Sequence, residues 1–358
     1  MRRAHLIGCS WLVTSTMTFA DASLAQAPHE PLPSFVVMPD DQLAAYDVDN
    51  HLFVALFGDS ASMATMADAK MGNPNAHFYA DYVESITKTV LYEATIGKLN
   101  PHPTEDQQHE LLQTNFGNMA RIPLSPYLGV QSYSLPVLIK QLTGFQPKVY
   151  NGAQMGGQYY FGHLYLDKFA KFYERNPFHK KPDLVIVNFN AMDFMENRSP
   201  ERYQQSVRAF YSRLTAMAPY ATLVITGMPD PMPLLMAPDR VAVPHGPNGP
   251  VKCSDLYKIV KFGNSTGVYP GAPESQLEAA RQRLAALRGI LENETRLLNH
   301  DESVYPHFKG QAHYVAPAVG EDASAIDHVA ADCIHPDQTV HAAIGRRMWG
   351  VIEPLIQQ

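Results

Sequence analysis

Apolar positions along the chain follow two alternating rhythms. Leu52-Phe53-Val54-Ala55-Leu56-Phe57 is an unbroken apolar run closed by Gly58. A run of that length without polar alternation predicts a strand buried on both faces. Similar runs recur at 147–150, 184–187 and 221–226, with a weaker one at 312–315. Between them, apolar residues return at helical spacing. Tyr203, Val207, Phe210, Tyr211, Leu214 and Met217 form one stripe within 200–217. Leu277, Ala280, Leu284, Leu287 and Leu291 form a second within 273–298. Val340, Ile344, Met348, Val351 and Leu355 form a third near the C-terminus. Each stripe predicts a helix with that face toward the core.

Buried strands alternating with amphipathic helices imply an α/β fold. The expectation is a three-layer, flavodoxin-like sandwich around a mainly parallel sheet of about five strands. Ligand sites in such sheets gather at the carboxyl ends of the strands. Gly58-Asp59-Ser60 and the segments 151–157 and 188–193 all fall at such ends. Two stretches break the alternation. Residues 61–145 are too many for one connection and are expected to hold helices near 80–99 and 136–143. Residues 231–273 are rich in Pro and Gly and show little periodicity. Loops that long are commonly functional covers or disordered.

The first residues change the picture of the chain's organisation. Arg2 and Arg3 precede a mostly apolar stretch, and Ala25-Gln26-Ala27 fits a small-x-small cleavage site. Residues 1–27 therefore read as a signal peptide, the alternative being a disordered or weakly helical terminus. The apolar part is too short and too interrupted to span a membrane. Residues 28–47 read as an N-terminal arm. Residues 48–358 read as one domain with long insertions at about 61–145 and 231–273. The expectation is an exported protein, periplasmic or secreted. With the leader removed, only Cys253 and Cys333 remain, and they either pair or stay as two separately buried thiols.

Composition narrows the function classes. The chain has 358 residues, 46% hydrophobic and 18% charged, which is globular. The formal net charge is -7 with no long run of either sign, so no broad basic surface for nucleic acid is expected. His-Glu-x-x-His, Cys-x-x-Cys and phosphate-loop patterns are missing from the sequence, and no metal or cofactor is expected.

The candidate chemistry lies at two distant points. Ser60 follows an apolar strand and a Gly-Asp turn, near the expected start of the next helix. A serine hydroxyl is a poor nucleophile until a base removes its proton. That base is most often a His oriented by a carboxylate. Asp332-Cys333-Ile334-His335-Pro336-Asp337 supplies both, three residues apart, with Asp337 placed to cap a following helix. Taken alone, Asp332 and His335 fit a cap and a surface His equally well.

Gly58-Asp59-Ser60 and Asp332-x-x-His335-Pro336 resemble the first and last blocks of the GDSL, or SGNH, hydrolase family. The resemblance runs from Val54 to Pro354 and is looser between those blocks. It implies Ser60 as nucleophile, His335 as general base, Asp332 as its partner, and no cofactor. Asn151-Gly152-Ala153-Gln154-Met155-Gly156 matches the spacing of the second block. That implies an oxyanion hole built from the N–H groups of Ser60 and Gly156. The alternative for these glycines is an ordinary strand-to-helix turn.

The third block departs from the family pattern, which reads Gly-x-Asn-Asp. Here the chain has Asn188-Phe189-Asn190-Ala191-Met192-Asp193. Alignment on Asp193 puts Met192 at the donor position, and methionine has no proton to donate. Either Asn190 reaches the hole from a differently shaped loop or the donor is missing; Asn190 is the expected one. The resemblance implies a small-molecule or lipid carboxylic ester as substrate, with peripheral contact to lipid. Carbohydrate O-deacetylation, acyl transfer and a non-catalytic binding module are the alternatives. Met63, Met66, Met71, Leu234, Leu235 and Met236 are expected to form an apolar cover for acyl chains or to be plain core packing.

Overall fold

The computed structural model describes residues 52–69, 104–107, 109, 120–175, 181–189, 191–246, 249–260, 266–317 and 328–357. The leader 1–27, the arm 28–47, the helix expected near 80–99, Met71 and Asn190 lie outside the described residues. All described residues belong to the compact unit Pro39–Gln358.

Strand β1, Phe53–Gly58, is buried at every position. Strand β2 is Lys148–Asn151 and strand β3 is Leu184–Asn188, the latter again buried throughout. Strand β4 is Thr222–Thr226 and strand β5 is Gln311–Val315. All pairings are parallel, in the order β2-β1-β3-β4-β5. The central strands are unbroken apolar runs because both of their faces are covered. The edge strands carry Lys148, Gln311 and His313, whereas polar residues of the central strands are confined to their ends, at Asn188, Thr222 and Thr226. The order reverses at β1, and the register sets Gly58 beside Asn188 and Leu56 beside Asn151. The carboxyl ends of β1, β2 and β3 therefore meet at the switch point of the sheet, where open α/β sheets bind ligands.

Alternation along β1 sends its side chains to opposite layers. Val54 and Leu56 join Leu184, Ile186 and Val224 against helices α1 and α5. Helix α1 is Leu135–Thr143, and α5 is Gln338–Ile356. Phe53 and Phe57 point the other way. They meet Phe172 and Phe169 of helix α2, Gly162–Arg175, and Phe57 also meets Phe210 of helix α3, Pro200–Met217. Helix α4, Glu274–His300, packs beside α3 and β5. The result is the three-layer α/β sandwich expected from the sequence.

Local signals set the helix starts. Ser199 caps α3 by accepting the Arg202 N–H, with Pro200 following. Asp337 caps α5 by accepting the N–H groups of Thr339 and Val340. In α3 all six residues of the predicted stripe are buried. In α5 the stripe is only partly in the packed core. Val340 and Met348 are buried and Ile344 is half-buried, and all three border a cavity.

Two segments differ from expectation. The stretch 231–273 is not one irregular loop. It contains a short helix, Met232–Met236, an antiparallel hairpin, Val241–Gly246 with Gly249–Lys252, and the helix Cys253–Val260. Pro244 and Pro250 interrupt the apolar alternation that would have marked these short strands. Second, the chain after Ser60 does not enter a helix. Residues 60–68 form successive turns, with Ala64 (φ 52) and Met66 (φ 56) in the left-handed region. The Thr65 hydroxyl donates to Ser60 O at 2.8 Å and the Ser62 hydroxyl to Asn188 O at 3.2 Å. Such side-chain bonds compete with a helical ladder.

Candidate active site

The site begins with a tight turn. Gly58 ends β1, and a Cβ there would sit 2.2 Å from Ser62 Oγ, so only glycine fits. Asp59 Oδ1 then accepts the N–H of Ala61 at 3.0 Å and of Ser62 at 3.3 Å. This side-chain turn holds Ser60 between them.

The second element is the loop before α5. It folds back on itself, with an antiparallel bridge between Val329 and Pro336. Ala330 N–H donates to His335 O at 2.7 Å, and Asp337 N–H to His328 O at 2.8 Å. Two further bonds tie it to the Ser60 loop, from Ala331 N–H to Ala69 O and from Gln338 N–H to Ala67 O. Cys333 lies at φ 65 and forms a disulfide with Cys253, the first residue of the helix that follows the hairpin. Of the two readings of the cysteines, the structure has the paired one.

These loops bring Ser60, His335 and Asp332 together. Ser60 Oγ lies 2.6 Å from His335 Nε2, across 275 residues of sequence. His335 Nδ1 bonds Asp332 Oδ2, while Asp332 Oδ1 accepts the N–H of Ile334 and of His335, both at 3.0 Å. Burial works against charge on Asp332, but His335 and the two N–H donors outweigh it and hold the carboxyl below its ordinary range. Burial likewise disfavours charge on His335, but Asp332 and then Asp59 outweigh it and raise the imidazole. A second His stands nearby in the first turn of α5. His341 is lowered to about 3, first by burial and next by the charge of His335, so it stays neutral.

Gly156 lies in the turn after β2 at φ 63. The loop is pressed onto the end of β1. Gln154 N–H donates to Gly58 O at 3.0 Å, and a Cβ on Gly157 would meet Gly58 O at 2.4 Å. Among the described residues, the N–H groups of Ser60 and Gly156 donate to no acceptor. Backbone donors left unspent in this way could receive a negative oxygen. Asn190 falls outside the described residues. Asp193 is buried nearby, and its carboxylate accepts the Tyr159 N–H at 3.1 Å, tying the loop after β3 to the loop after β2. Burial first of all raises Asp193 to about 7.

Sequence reasoning missed a polar cluster beneath Ser60. Asn188 Nδ2 donates to Ser62 Oγ at 2.9 Å, and Asn188 Oδ1 accepts the Thr226 hydroxyl. The available signal was an Asn closing an otherwise apolar strand. The apolar residues divide between the two expectations, cover and core packing. A cavity of about 200 Å³ opens from Asp59, Ser60 and His335. Of the six residues expected as a cover, Leu234 lines it. Met63 and Met66 are buried in packing instead, and Leu235 is buried away from its wall. Met192, Met195, Ile344 and Met348 form the wall, and Gly156 is not part of it. Helical spacing of Val340, Ile344 and Met348 marked a buried face in the sequence but not one that borders an empty space. Among the described residues, no group of three or more His, Cys, Asp or Glu is arranged to hold a metal ion.

No protein-family model matches the chain, and no curated protein matches it. Among solved structures, the psychrotrophic esterase EstA from Pseudoalteromonas sp., in a structure inhibited by monoethylphosphonate, is similar over 86% of this chain and 99% of that chain. The identity is 11% and the TM-score 0.40, a likeness that bears on neither activity nor site. The parallel sheet described above rests on its own pairing registers.

Proposed function

We propose that the protein is an exported serine ester hydrolase of the GDSL type, working through an acyl-enzyme on Ser60. One observation carries the proposal: Ser60 Oγ stands 2.6 Å from His335 Nε2 while Asp332 occupies the other ring nitrogen. A serine so placed can lose its proton as it attacks. His335 Nε2 takes the hydroxyl proton as Ser60 Oγ bonds to the ester carbonyl carbon. The carbonyl oxygen becomes negative and receives hydrogen bonds from the N–H groups of Ser60 and Gly156, with Asn190 as the third donor. The carbon–oxygen bond to the alcohol then breaks, and the alcohol leaves with the proton from His335. Water attacks the acyl-Ser60 in the same way, its proton passing through His335 back to Ser60 as the acid leaves. Asp332 holds the ring in the tautomer this needs. Export is supported by the leader-like residues 1–27 and by the Cys253–Cys333 disulfide, a bond characteristic of oxidising compartments.

The test is Ser60→Ala. Hydrolysis of a short nitrophenyl ester should fall on the order of a million-fold, and a fluorophosphonate probe should label the parent chain but not the variant. A variant that keeps near-parental turnover would end the proposal.

A further inference from the structure

The cavity beside Ser60 has a chemistry that the catalytic residues do not explain. Its polar lining is near the reacting groups, at Asp59, Asn188 and Thr226, and at Asp230 and Arg347. The remaining wall is almost wholly hydrocarbon and thioether. Val340, Ile344 and Met348 project from one face of α5, opposed by Met192, Met195 and Leu234. From Val340 to Met348 that face runs about 12 Å along the helix. Val340 and Met348 are buried and Ile344 is half-buried, so most of this wall is covered.

The position of the cavity shows where the body of a bound ester lies. It lies over the carboxyl ends of β3, β4 and β5, at Asn188, Gly227 and Val315. The Gly156 loop follows β2, on the opposite side of β1. A carbonyl oxygen turned toward the N–H groups of Ser60 and Gly156 leaves the rest of the molecule directed over β3 to β5. The alcohol has to leave, carrying the proton from His335. The acyl group stays on Ser60 through both half-reactions and gains most from a shielded pocket. Three methionines on the wall give it flexible side chains that fill around acyl groups of varied shape. A volume of about 200 Å³ is below the roughly 300 Å³ at which drug-sized ligand sites begin, so a long fatty chain would not be enclosed.

We infer that this cavity is an acyl-chain site and that the preferred substrates are esters of medium-chain fatty acids rather than acetyl or long-chain esters. Met348, the most distant of the α5 wall residues from His335 along the helix, limits chain length. The inference rests on the ester-hydrolase reading of Ser60 and names its substrate class.

The experiment compares kcat/KM of the full chain on nitrophenyl esters of acetate, butanoate, octanoate and hexadecanoate. Each buried methylene should contribute about fourfold until the pocket is full. The octanoyl ester should exceed the acetyl ester at least tenfold, and the hexadecanoyl ester should fall below the octanoyl. Met348→Trp should lower the octanoyl-to-acetyl ratio at least tenfold, with fluorophosphonate labelling of Ser60 reporting that the variant is folded. The parent profile stands by itself if that variant does not fold. A parent that labels at Ser60 but prefers acetate, or is indifferent to acyl length, overturns the acyl-chain site alone. So does a rate that climbs with the length of the alcohol instead. A folded parent that neither labels nor hydrolyses any of the four esters overturns the hydrolase reading beneath it.

Discussion

The parallel sheet and the hairpin insertion reach the same site but are held by different means. The sheet is held by burial. β1 and β3 have every residue covered, and two helical layers close over them. The hairpin Val241–Gly246 and Gly249–Lys252 has two short strands with shifts in register, too little for a stable unit by itself. Its packing is a small cluster of Ala242, Val243, Cys253 and Leu256 against Met66, Ala69, Ala330, Ala331 and Cys333. The Cys253–Cys333 bond closes that cluster. Cys333 stands next to Asp332 and two residues before His335. The sheet therefore places the nucleophile, while the insertion braces the base. Stability in the first region is spread over many contacts; in the second it depends on one covalent link.

Beyond the loss of Ser60 itself, the largest expected effect is on the braced side. Asp332→Asn leaves the loop's shape but offers His335 a neutral partner, and kcat should fall on the order of ten-thousand-fold. The pH profile sharpens this. His335 must be neutral to accept a proton, and its raised pKa keeps it charged further up the scale. The acid limb of kcat/KM should therefore bend above 6.5 in the parent. Asp332→Asn removes the charge that raises it, so the bend should move down. An unmoved bend would separate the limb from His335.

A matched pair of variants breaks the comparison directly. Replacing both Cys253 and Cys333 by Ala opens a link 80 residues apart, which costs about 4 kcal/mol of stability in the chain-entropy account. Leu56→Ala in the sheet costs about 2–5 kcal/mol. Denaturant unfolding should find the two similar. Turnover should not: the cysteine variant should lose at least tenfold in kcat with KM little changed, and Leu56→Ala should stay within about threefold. Equal losses of kcat would show that the disulfide stabilises the fold without bracing His335.

The smallest effect belongs to the sheet side. Asp193 keeps its proton in the folded chain up to about pH 7, whereas the unfolded carboxyl releases it near 3.8. Folding thus binds a proton between those values, and this group's contribution to stability falls as pH rises through them. Asp193→Asn still accepts the Tyr159 N–H but does not titrate. Its Tm relative to the parent should climb by a few degrees between pH 4 and pH 7 and then level off. A constant difference would mean that Asp193 is not taken out of water as the fold implies.

The amino-acid sequence by itself determined the sheet and the cast of the site. Short unbroken runs such as 52–57 and 184–187, closed by Gly58 and Asn188, suit strands covered on both faces, and the α3 stripe suits a helix with one buried side. Ser60 after Gly-Asp, and Asp332 three residues before His335, were legible because local turns set them. The hairpin was not, since Pro244 and Pro250 erase a short alternation and a disulfide supplies what periodicity would have announced. The roles of the apolar residues were not legible either. Met63 and Met348 look alike in a sequence and join the same core cluster, yet only Met348 also borders the cavity. Only the tertiary structure decided that Ser60 and His335 lie 2.6 Å apart, that Asn188 is engaged by Ser62 and Thr226, and that the cavity opens over β3 to β5. Local patterns encode which face of an element is buried. Distances between elements, and the gaps left between them, follow from how whole layers pack.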